Sequence, residues 1–584
     1  MQKLVNGDIR YSPTDLTRYL KSPFAAAMER LALDNAAHKQ LRDQPDALMA
    51  SLQQKGYAHE DALEAEFQAA GKNLVRIDAD SDAAHQATVA AMQAGADIIV
   101  QARLVLDNFA GYADFLVRTE GSSALGDWHY EVWDTKLARK TSPSFLLQLC
   151  CYAEMLEAVQ QRLPDSVTVA LGNGEQQSFA LADYYAFYQT VKTDFLRAQA
   201  NFCSDNLPDP AHYSDHGDWS DYAAAQLEAR DHVCRVATLT QAQGAKLLAA
   251  GITTLTELAT TALDNIPGIE ASGFVRLRRQ AALQLASIDA AAVPYELLPH
   301  DNEEPKGLQL LPPASTADVF FDIEGYPLDD NGLEYLWGCT YFDAQQQRCF
   351  RDFWAHDATQ EQAAFQAFIL WVYQRWEANP EMHIYHYANY EIAACKRLMG
   401  RYGICEKEVD DLLRNNVFVD LYKVVKGGIL VGEPRYSIKN IEKLYRDTRT
   451  TDVSSGGDSV VVYDNWRSAW QAGEESDNWQ ESEILNGIRE YNKDDCDSTQ
   501  ELVDWLRRQQ QQAGLQWTGA VGGGSQEPPE HALEQQQLRD TLLAYEQHWT
   551  STLAWSLEFH RRENKPTWWK YFCLLYTSPS PRDS

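Results

Sequence analysis

The sequence lacks the signatures of several protein classes. It has no run of about 18 apolar residues that could span a bilayer, and its N-terminus, MQKLVNGDIRYSPTDL, lacks the basic and then apolar regions of a signal peptide. Its ten cysteines form no Cys-x-x-Cys pair, which argues against a zinc ribbon and a secreted disulfide framework. No G-x-x-x-x-G-K-S/T phosphate loop is present, so we expect no ATP hydrolysis by these residues. We predict a cytoplasmic protein with reduced thiols and no membrane partner.

Positive charge is also scarce. The chain has 51 lysines and arginines against 84 aspartates and glutamates, a formal net charge of -33. Because phosphate binding is driven by lysine and arginine, this balance excludes a protein that coats nucleic acid through its overall field. Any contact with nucleic acid must be local, or mediated by metal ions at acidic clusters.

Patterns along the 584 residues predict a multidomain α/β protein. Residues 1–235 mix helical stretches such as HEDALEAEFQAAG with strand-like runs such as ADIIVQARLVL and YEVWDTKL. Residues 236–292 are helical, and residues 317–512 form a second α/β block, inside which 451–478 is predicted to be an insertion or mobile loop. The remaining predicted segments are a linker at 293–316, a second linker at 513–533, the start of a further region at 534–572, and an artefact that resembles a translated sequencing adapter at 573–584.

A first chemical constellation lies in the first block. GYADFLVR places Asp114 on a strand, and YEVWDTKLARK places Asp134 and Lys136 on another, where side chains two apart share a face. Carboxylates from two strands can hold a divalent metal while the ammonium orients or activates a water. Taken alone, Asp-x-Lys is also typical of an exposed, salt-bridged strand.

Two helices add polar residues to this set. QLCCYAEML puts Gln148 and Tyr152 on one helix face, and HEDALEAEF offers His59 and Glu60. The order resembles the RecB-like branch of the PD-(D/E)XK nucleases, a restriction-endonuclease-like fold. The resemblance implies a metal site at His59, Asp114 and Asp134, a catalytic Lys136, and a helix near DNA that carries Gln148 and Tyr152.

Many relatives in that branch hold an iron-sulfur cluster through cysteines at both ends of the nuclease core. The corresponding stretches here, YLKSPFAAAMERL and LPDPAHYSDHGDWSDYAAA, contain no cysteine. Because thiolate ligation needs cysteine, we expect no iron-sulfur cluster.

The helical module contains IPGI at 266–269 followed by the basic RLRR. It resembles a helix-hairpin-helix element, whose glycine turn points backbone amides at a phosphate. The resemblance implies nucleic-acid contacts at Gly268, Arg276, Arg278 and Arg279. The alternative is a Pro-Gly turn between packed helices beside a solvated arginine face.

A second constellation lies in the second block. DVFFDIEGYP projects Asp322 and Glu324 from one face of a strand, and Glu391 falls in the first turn of a helix. IREYNKDDCDSTQ carries Tyr491 and Asp495 four apart on a helix. Recurring carboxylates in one domain favour a metal, because without a cation they raise one another's pKa. Further candidates for the metal ligands are Asp420 as a substitute for Glu391, and Asp494 and Asp497 beside the last position.

This order resembles the DnaQ-like, RNase H-fold exonucleases of the DEDD type. The resemblance implies two divalent metals, Mg²⁺ or Mn²⁺, with Tyr491 positioning the nucleophilic water. The third acidic position is usually aspartate in that family, whereas here it is glutamate. The implied ligands are Asp322, Glu324, Glu391 and Asp495.

Together, the blocks resemble a bacterial family of RecB-like nucleases with an added RNase H-like domain, commonly continued by a superfamily 1 helicase. The resemblance implies a metal-dependent nuclease for DNA, with RNA as another substrate, and a helicase in cis. The catalytic residues would be Asp114, Asp134 and Lys136 at one site and Asp322, Glu324 and Tyr491 at the other. One alternative is a catalytically decayed module that only binds nucleic acid, and another is a hydrolase of small phosphorylated molecules.

Overall fold

The computed structural model gives the chain a mixed α/β, multidomain architecture. Its nine described cysteines are free thiols, and none of the helices in the described ranges is long and apolar enough to cross a membrane. The structure describes residues 1–44, 47–78, 83–299, 305–329, 331–446, 456–518, 537–539, 541–545 and 547–556.

The strands of the described residues form four sheets. The strands are β1 (Gln2–Lys3), β2 (Ile9–Arg10), β3 (Leu74–Arg76), β4 (Ile98–Leu106), β5 (Phe109–Ser123), β6 (Gly126–Lys136), β7 (Ser166–Leu171), β8 (Gln176–Ala180), β9 (Tyr295–Leu297), β10 (Val319–Tyr326), β11 (Leu333–Phe342), β12 (Arg348–Trp354), β13 (Ile384–His386), β14 (Phe418–Asp420) and β15 (Ile429–Val431).

Helices surround these sheets and form the module between the two large ones. They are α1 (Pro13–Lys21), α2 (Pro23–Asp34), α3 (Ala36–Lys39), α4 (Ala47–Ala69), α5 (Ala84–Gln93), α6 (Pro143–Gln160), α7 (Ala182–Ala200), α8 (Ser220–Ala229), α9 (Gln241–Ala249), α10 (Leu255–Thr260), α11 (Ala271–Ser287), α12 (Ala358–Ala378), α13 (Tyr390–Tyr402), α14 (Glu406–Arg414), α15 (Leu421–Gly428), α16 (Ile438–Ile441), α17 (Gly456–Gln471), α18 (Glu483–Gln512) and α19 (His548–Ser556).

The N-terminal block is built on a six-stranded sheet in the order β3-β4-β5-β6-β7-β8. The β4, β5 and β6 strands are antiparallel, whereas β6 pairs in parallel with β7. The α6 helix packs its apolar side against this sheet and buries Leu149 and Met155 completely. The strands predicted in ADIIVQARLVL and YEVWDTKL are confirmed as β4 and β6.

The C-terminal block contains a five-stranded sheet in the order β12-β11-β10-β13-β14. Strands β10, β11 and β12 are antiparallel, and β13 and β14 continue the sheet in parallel. Trp337 on β11 packs against Phe365 and Phe368 of α12, while its neighbour Gly338 faces Asn492 of α18. Because neighbouring strand residues point to opposite faces, α12 and α18 cover opposite faces of the sheet.

Of the predicted insertion or mobile loop at 451–478, the loop alternative is wrong for residues 456–471. Residues 456–471 form α17, which buries Tyr463 and Trp466 in the core of the C-terminal block. The helix also contacts α4 of the N-terminal block, because its Asp464 pairs with Lys55 of α4 at 3.2 Å. Lys55 also donates to the hydroxyl of Tyr326 on β10. Tyr463, Trp466 and Trp470 lie three and four residues apart within a polar stretch, and this helical spacing of aromatic residues is the pattern that indicates the helix.

The described residues of the segment predicted as a linker at 293–316 pack against the rest of the chain. Its β9 strand pairs antiparallel with β15, and Leu308 and Leu311 are buried against the C-terminal block. The predicted second linker is described only to residue 518, and most of the following predicted segments, including 573–584, lies outside the described residues.

The two cysteine-free stretches YLKSPFAAAMERL and LPDPAHYSDHGDWSDYAAA pack directly on each other. Ser22 Oγ lies 2.8 Å from His216 Nδ1, and the Phe24 ring meets the His216 ring edge-on. Trp219 is fully buried and donates its indole N–H to Glu29 at 2.9 Å. We call the contact of α2 with residues 210–222 the N-terminal clasp; apolar packing and hydrogen bonds hold it together.

Candidate functional site

The sheet of the C-terminal block presents two carboxylates on one face of β10. Phe321 packs its ring 4.4 Å from that of Phe368 on the α12 face, so Asp322 and Glu324 lie on the opposite face. Asp322 pairs with Gly338 of β11, and the register shifts after Glu324. The strand therefore directs both carboxylates toward α18.

Helix α18 supplies a third carboxylate because it approaches the sheet closely at Gly338. A Cβ added there would lie 1.7 Å from Asn492 Oδ1, so only glycine admits this side chain. The Asn492 amide in turn donates to Asp322 Oδ2 at 2.8 Å. One turn on, Asp495 joins Asp322 and Glu324, and carboxylate oxygens of the three lie within 4.8 Å of one another. We call these three residues the carboxylate group.

Electrostatics disfavours three ionised carboxylates at this spacing. Glu324 is only 6% exposed, and burial, together with the charge of Asp495, raises its pKa to about 8. Burial and the charges of Asp495, Glu324 and Glu391 raise the pKa of Asp322 well above its ordinary value. A bound cation would compensate the negative charge and so remove this repulsion. The group therefore has the charge and the oxygen donors of a divalent-metal site.

Glu391 lies beside the carboxylate group rather than within it. It is 4% exposed in the first turn of α13, and its charge contributes to the raised pKa of Asp322. Its Oε2 atom lies 3.4 Å from Nδ1 of the fully buried His386 and has no hydrogen-bond partner among the described residues. The structure thus brings Glu391 near the three carboxylates but at the edge of their arrangement.

Three further residues, which the sequence patterns did not indicate, surround the group. Ser459 on α17 donates its hydroxyl to Glu324 at 2.7 Å, and Asn492 holds Asp322. Lys439 on α16 places its ammonium 6.0 Å from the ring centroid of the buried Tyr491. Ser459 was missed because its segment resembles a loop, whereas Asn492 could have been found as a polar residue on the buried face of an amphipathic helix.

The alternative ligands have other partners. Asp420 accepts hydrogen bonds from the backbone N–H groups of Ala388 and Tyr422, both at 3.0 Å, and so begins α15. Asp494 pairs with Arg446 at 2.8 Å, and Asp497 accepts from the Thr340 hydroxyl at 2.6 Å. Of the acidic residues on this helix segment, Asp495 is the one that lies in the carboxylate group.

The first constellation also comes together in the N-terminal block. Asp114 on β5 accepts hydrogen bonds from the backbone and hydroxyl of Thr135, both at 2.8 Å, while Lys136 pairs with Asp134. Burial, followed by the charge of Asp114, raises the pKa of Asp134 to about 7. Asp114, Asp134 and Lys136 therefore form one cluster at neighbouring strands.

Helix α4 places Glu60 at this cluster, whereas His59 contacts β7 at Ala170, the register partner of Thr135, and its metal role stays a prediction. Glu60 is buried and accepts a hydrogen bond from Gln101 at 2.6 Å, and the Asp114 charge contributes to its raised pKa after burial itself. His59 places Nε2 3.2 Å from the Ala170 carbonyl and lines a cavity of about 350 Å³ that extends to Asn331. A one-residue step on a helix turns a side chain by about 100°, which separates the two.

The α6 helix places Gln148 and Tyr152 next to the same cluster. The Tyr152 hydroxyl donates to the Tyr112 carbonyl at 2.6 Å, and burial and the charges of Asp134 and Asp114 raise its pKa. A hydrogen bond from Gln148 acts in the opposite direction on that pKa. The face that carries the predicted pair is therefore the face that meets the strands.

The helical module closes its Pro-Gly turn on itself. Gly268 has a φ of +83°, a left-handed conformation that favours glycine, and its carbonyl accepts from Lys246 at 2.7 Å. The predicted arginines also have partners within the chain. Arg276 donates to the Lys426 carbonyl, Arg278 donates to the Leu263 carbonyl at 2.8 Å, and Arg279 pairs with Glu296.

Comparison with known families identifies the C-terminal block. Residues 319–507 match the model of the RNase H superfamily. The match covers about a third of the chain, runs from β10 into α18 and contains the whole carboxylate group. The comparisons with curated proteins and with solved structures gave no match. An RNase H-like domain therefore occupies residues 319–507.

Proposed function

We propose that the RNase H-like domain is a divalent-metal-dependent nuclease that hydrolyses phosphodiester bonds of DNA or RNA. The observation that carries the proposal is the carboxylate group, whose three members offer oxygens within 4.8 Å of one another. Relatives of this superfamily act on nucleic acids, which gives the group a substrate class.

The residues present fit Mg²⁺ or Mn²⁺. The donors are all carboxylate oxygens, which these hard cations prefer, and the raised pKa of Glu324 shows that the site favours added positive charge. Asp322, Glu324 and Asp495 would hold the cation, with Glu391 beside them. When bound, a cation of this kind activates a water and stabilises charge on the scissile phosphate.

The side chains around the group have positioning roles. Asn492 fixes Asp322 through one hydrogen bond, and Ser459 fixes Glu324 through another. Such outer contacts orient ligands and keep the site ready for binding. Tyr491 lies four residues before Asp495 on the same helical face, from which its side chain would position the attacking water.

We propose a second nuclease site in the N-terminal block, of the PD-(D/E)XK kind. Asp114, Asp134 and Glu60 supply carboxylates, while Lys136 supplies an ammonium at the same place. In this proposal Lys136 orients the nucleophile, and Gln148 and Tyr152 support the strands near the substrate. The helix-hairpin-helix contacts, and a helicase in cis whose start is predicted at 534–572, stay predictions.

Digestion of end-labelled oligonucleotides tests both sites. Single- and double-stranded DNA and RNA are incubated with Mg²⁺ or Mn²⁺ and the wild type, Asp322→Asn, Lys136→Ala or the double variant. We expect each single substitution to reduce the cleavage rate of its own site about 100-fold or more, because each removes a group at the reacting centre of that site. Full activity in the double variant would contradict both assignments.

Adjacent aspartates on α18 provide a matched control. Asp495→Asn is expected to abolish Mn²⁺ binding at the RNase H-like domain in calorimetric titration, whereas Asp494→Asn, which weakens the pairing with Arg446, is expected to retain it. Mn²⁺ binding without cleavage would favour the alternative, a decayed module that binds nucleic acid. Equal loss in both variants would contradict the choice of Asp495.

A further inference from the structure

The segment from Asp420 to Arg446 has a charge opposite to that of the whole chain. It contains six basic and three acidic side chains, whereas the chain has 51 basic and 84 acidic residues. The acidic residues are Asp420, Glu433 and Glu442, and the basic ones are Lys423, Lys426, Arg435, Lys439, Lys443 and Arg446.

The acidic side chains of this segment point inward. Asp420 begins α15, Glu433 accepts from Asn440 at 2.7 Å, and Glu442 accepts from the buried Ser498. Each of the three carboxylate side chains is less than a tenth exposed. Asp420 pairs with Lys423 at 3.8 Å and Glu433 pairs with Lys443 at 2.9 Å, so these carboxylates offset part of the positive charge of the segment, which keeps an excess of basic side chains.

The basic side chains mostly face solvent. Lys423 is 71% exposed and Lys443 is 55% exposed, and the side chains of Lys426, Arg435 and Lys439 are exposed as well. A phosphate that approaches this segment therefore meets positive charge on a protein that is otherwise strongly acidic. We call the exposed side chains of 423, 426, 435 and 439 the basic track.

The basic track is fixed to the strand beside the carboxylate group. Tyr387 directly follows β13; its hydroxyl donates to the Tyr436 carbonyl at 2.5 Å, and its ring meets the Tyr422 ring edge-on at 5.8 Å. Tyr422 in turn lies 5.5 Å from the ammonium of Lys426. The track is thus attached next to the end of β13, which carries His386, and Glu391 follows in the first turn of α13.

Lys439 is the member of the track nearest to the carboxylate group. Its ammonium lies 6.0 Å from the Tyr491 ring centroid, and its charge partly offsets the rise in the pKa of Glu324. A lysine at this position can contact a phosphate without occupying a cation position.

An exposed aromatic ring belongs to Tyr390, which directly precedes Glu391 on α13. Tyr390 is 49% exposed, yet its hydroxyl is fixed by donation to Glu334 at 2.8 Å. A ring held at its polar end and open to solvent provides a stacking surface for a base. Bases inside a duplex are already stacked and paired, so such a surface favours an unpaired strand.

We propose that the RNase H-like domain binds a single nucleic-acid strand, with its phosphates on Lys439 and the basic track and a base stacked on Tyr390. This inference rests on the proposed nuclease function and adds the form of the substrate and the residues that select it. A duplex of the same sequence binds more weakly because it offers no free base to the ring.

Fluorescence anisotropy with a labelled 12-nucleotide oligo-dT tests the role of Lys439. The full chain carries Asp322→Asn to prevent cleavage, and its thermal unfolding confirms that it folds. Lys439→Ala is expected to weaken binding about 3- to 10-fold at low salt and to reduce the slope of log K against log salt by about 0.7, as for one lost phosphate contact.

The chain offers a matched control on the opposite face. Lys407 is a more peripheral lysine that contacts Tyr373 of α12 at 2.7 Å, and α12 covers the face away from the carboxylate group. Lys407→Ala removes the same charge and is expected to leave affinity and salt slope unchanged. Equal effects of the Lys439 and Lys407 substitutions would overturn the role of the track.

Two substitutions separate stacking from the hydroxyl contact of Tyr390. Tyr390→Phe keeps the ring and is expected to bind as the parent does, whereas Tyr390→Leu is expected to lose about 5-fold or more in affinity. Equal binding by the leucine variant and the parent, equal binding of duplex and single strand, or no binding by the parent would each overturn the inference. Because the readout is binding, absence of cleavage by wild-type protein refutes the proposed function separately.

Discussion

Replacing Gly338 with alanine is expected to disturb the carboxylate group without changing any of its members. The added Cβ would lie 1.7 Å from Asn492 Oδ1 and 2.8 Å from Asn492 Cγ. Asn492 is fully buried between α18 and the sheet, so it cannot swing into solvent. Either its amide leaves Asp322, or α18 moves away from the sheet together with Asp495.

Both responses reduce stability and activity. Overpacking a core costs about 1–3 kcal/mol, and losing a hydrogen bond to a charged carboxylate costs about 1.5–3 kcal/mol. We expect the free energy of unfolding to fall by about 2–4 kcal/mol. The Tm is expected to fall by about 2–4 °C for each kcal/mol that is lost. Displacement of a reacting group by about 1 Å reduces cleavage about 100-fold.

Calorimetric unfolding, Mn²⁺ titration and oligonucleotide cleavage measure these effects. Gly487→Ala, on the same helix, is the matched control because an added Cβ there meets nothing within 4 Å. It is expected to retain activity and to gain up to about 1 kcal/mol in stability from helix propensity. Unchanged Tm and Mn²⁺ affinity in Gly338→Ala would refute the close approach of α18 that builds the site.

Three further outcomes are expected. Ser459→Ala should weaken Mn²⁺ binding about 10- to 100-fold by calorimetry, because it frees a ligand from its positioning contact, whereas Ser468→Ala on the same helix should not. Burial lowers the pKa of His383 to about 4, below its unfolded value near 6.5, so as the pH falls the unfolded chain binds the proton first. The free energy of unfolding should therefore fall by about 2 kcal/mol between pH 7 and pH 5, and His383→Gln should lose this pH dependence in urea unfolding. Trp219→Ala should destabilise the N-terminal clasp by about 3–5 kcal/mol, measured in the unfolding transition of the N-terminal block. An unchanged transition would contradict the burial of Trp219.

Local patterns predicted the elements that carry the site. The run VFFDIEGY forms β10, on which the strand period of two puts Asp322 and Glu324 on one face, and the four-residue spacing of Tyr491 and Asp495 fits the helix α18. These predictions depend on periodicities of two and 3.6 residues, which are properties of the backbone alone. The strand β6 with Asp134 and Lys136 follows from the same period.

Other positions depend on partners that are distant in sequence. His59 and Glu60 are equally plausible on a helix pattern, but the rotation of α4 against β4 and β5 decides that Glu60 reaches Asp114. The aromatic residues that make α17 a packed helix lie within a polar stretch, so composition predicts a loop there. The net charge of the chain does not reveal the basic track, because it counts buried and exposed side chains alike. The structure reveals the track because it buries the acidic side chains of that segment and exposes the basic ones.

The sequence by itself determined the two α/β blocks, the strands and helices that carry the carboxylates, and the absence of a cysteine set for a metal cluster. The tertiary structure alone decided which carboxylates converge. Gly338 admits Asn492, which lets α18 bring Asp495 to within 4.8 Å of Asp322 and Glu324, while Glu391 stays beside them. Local periodicity fixes the direction of a side chain on its own element, whereas the distance between elements is fixed by packing.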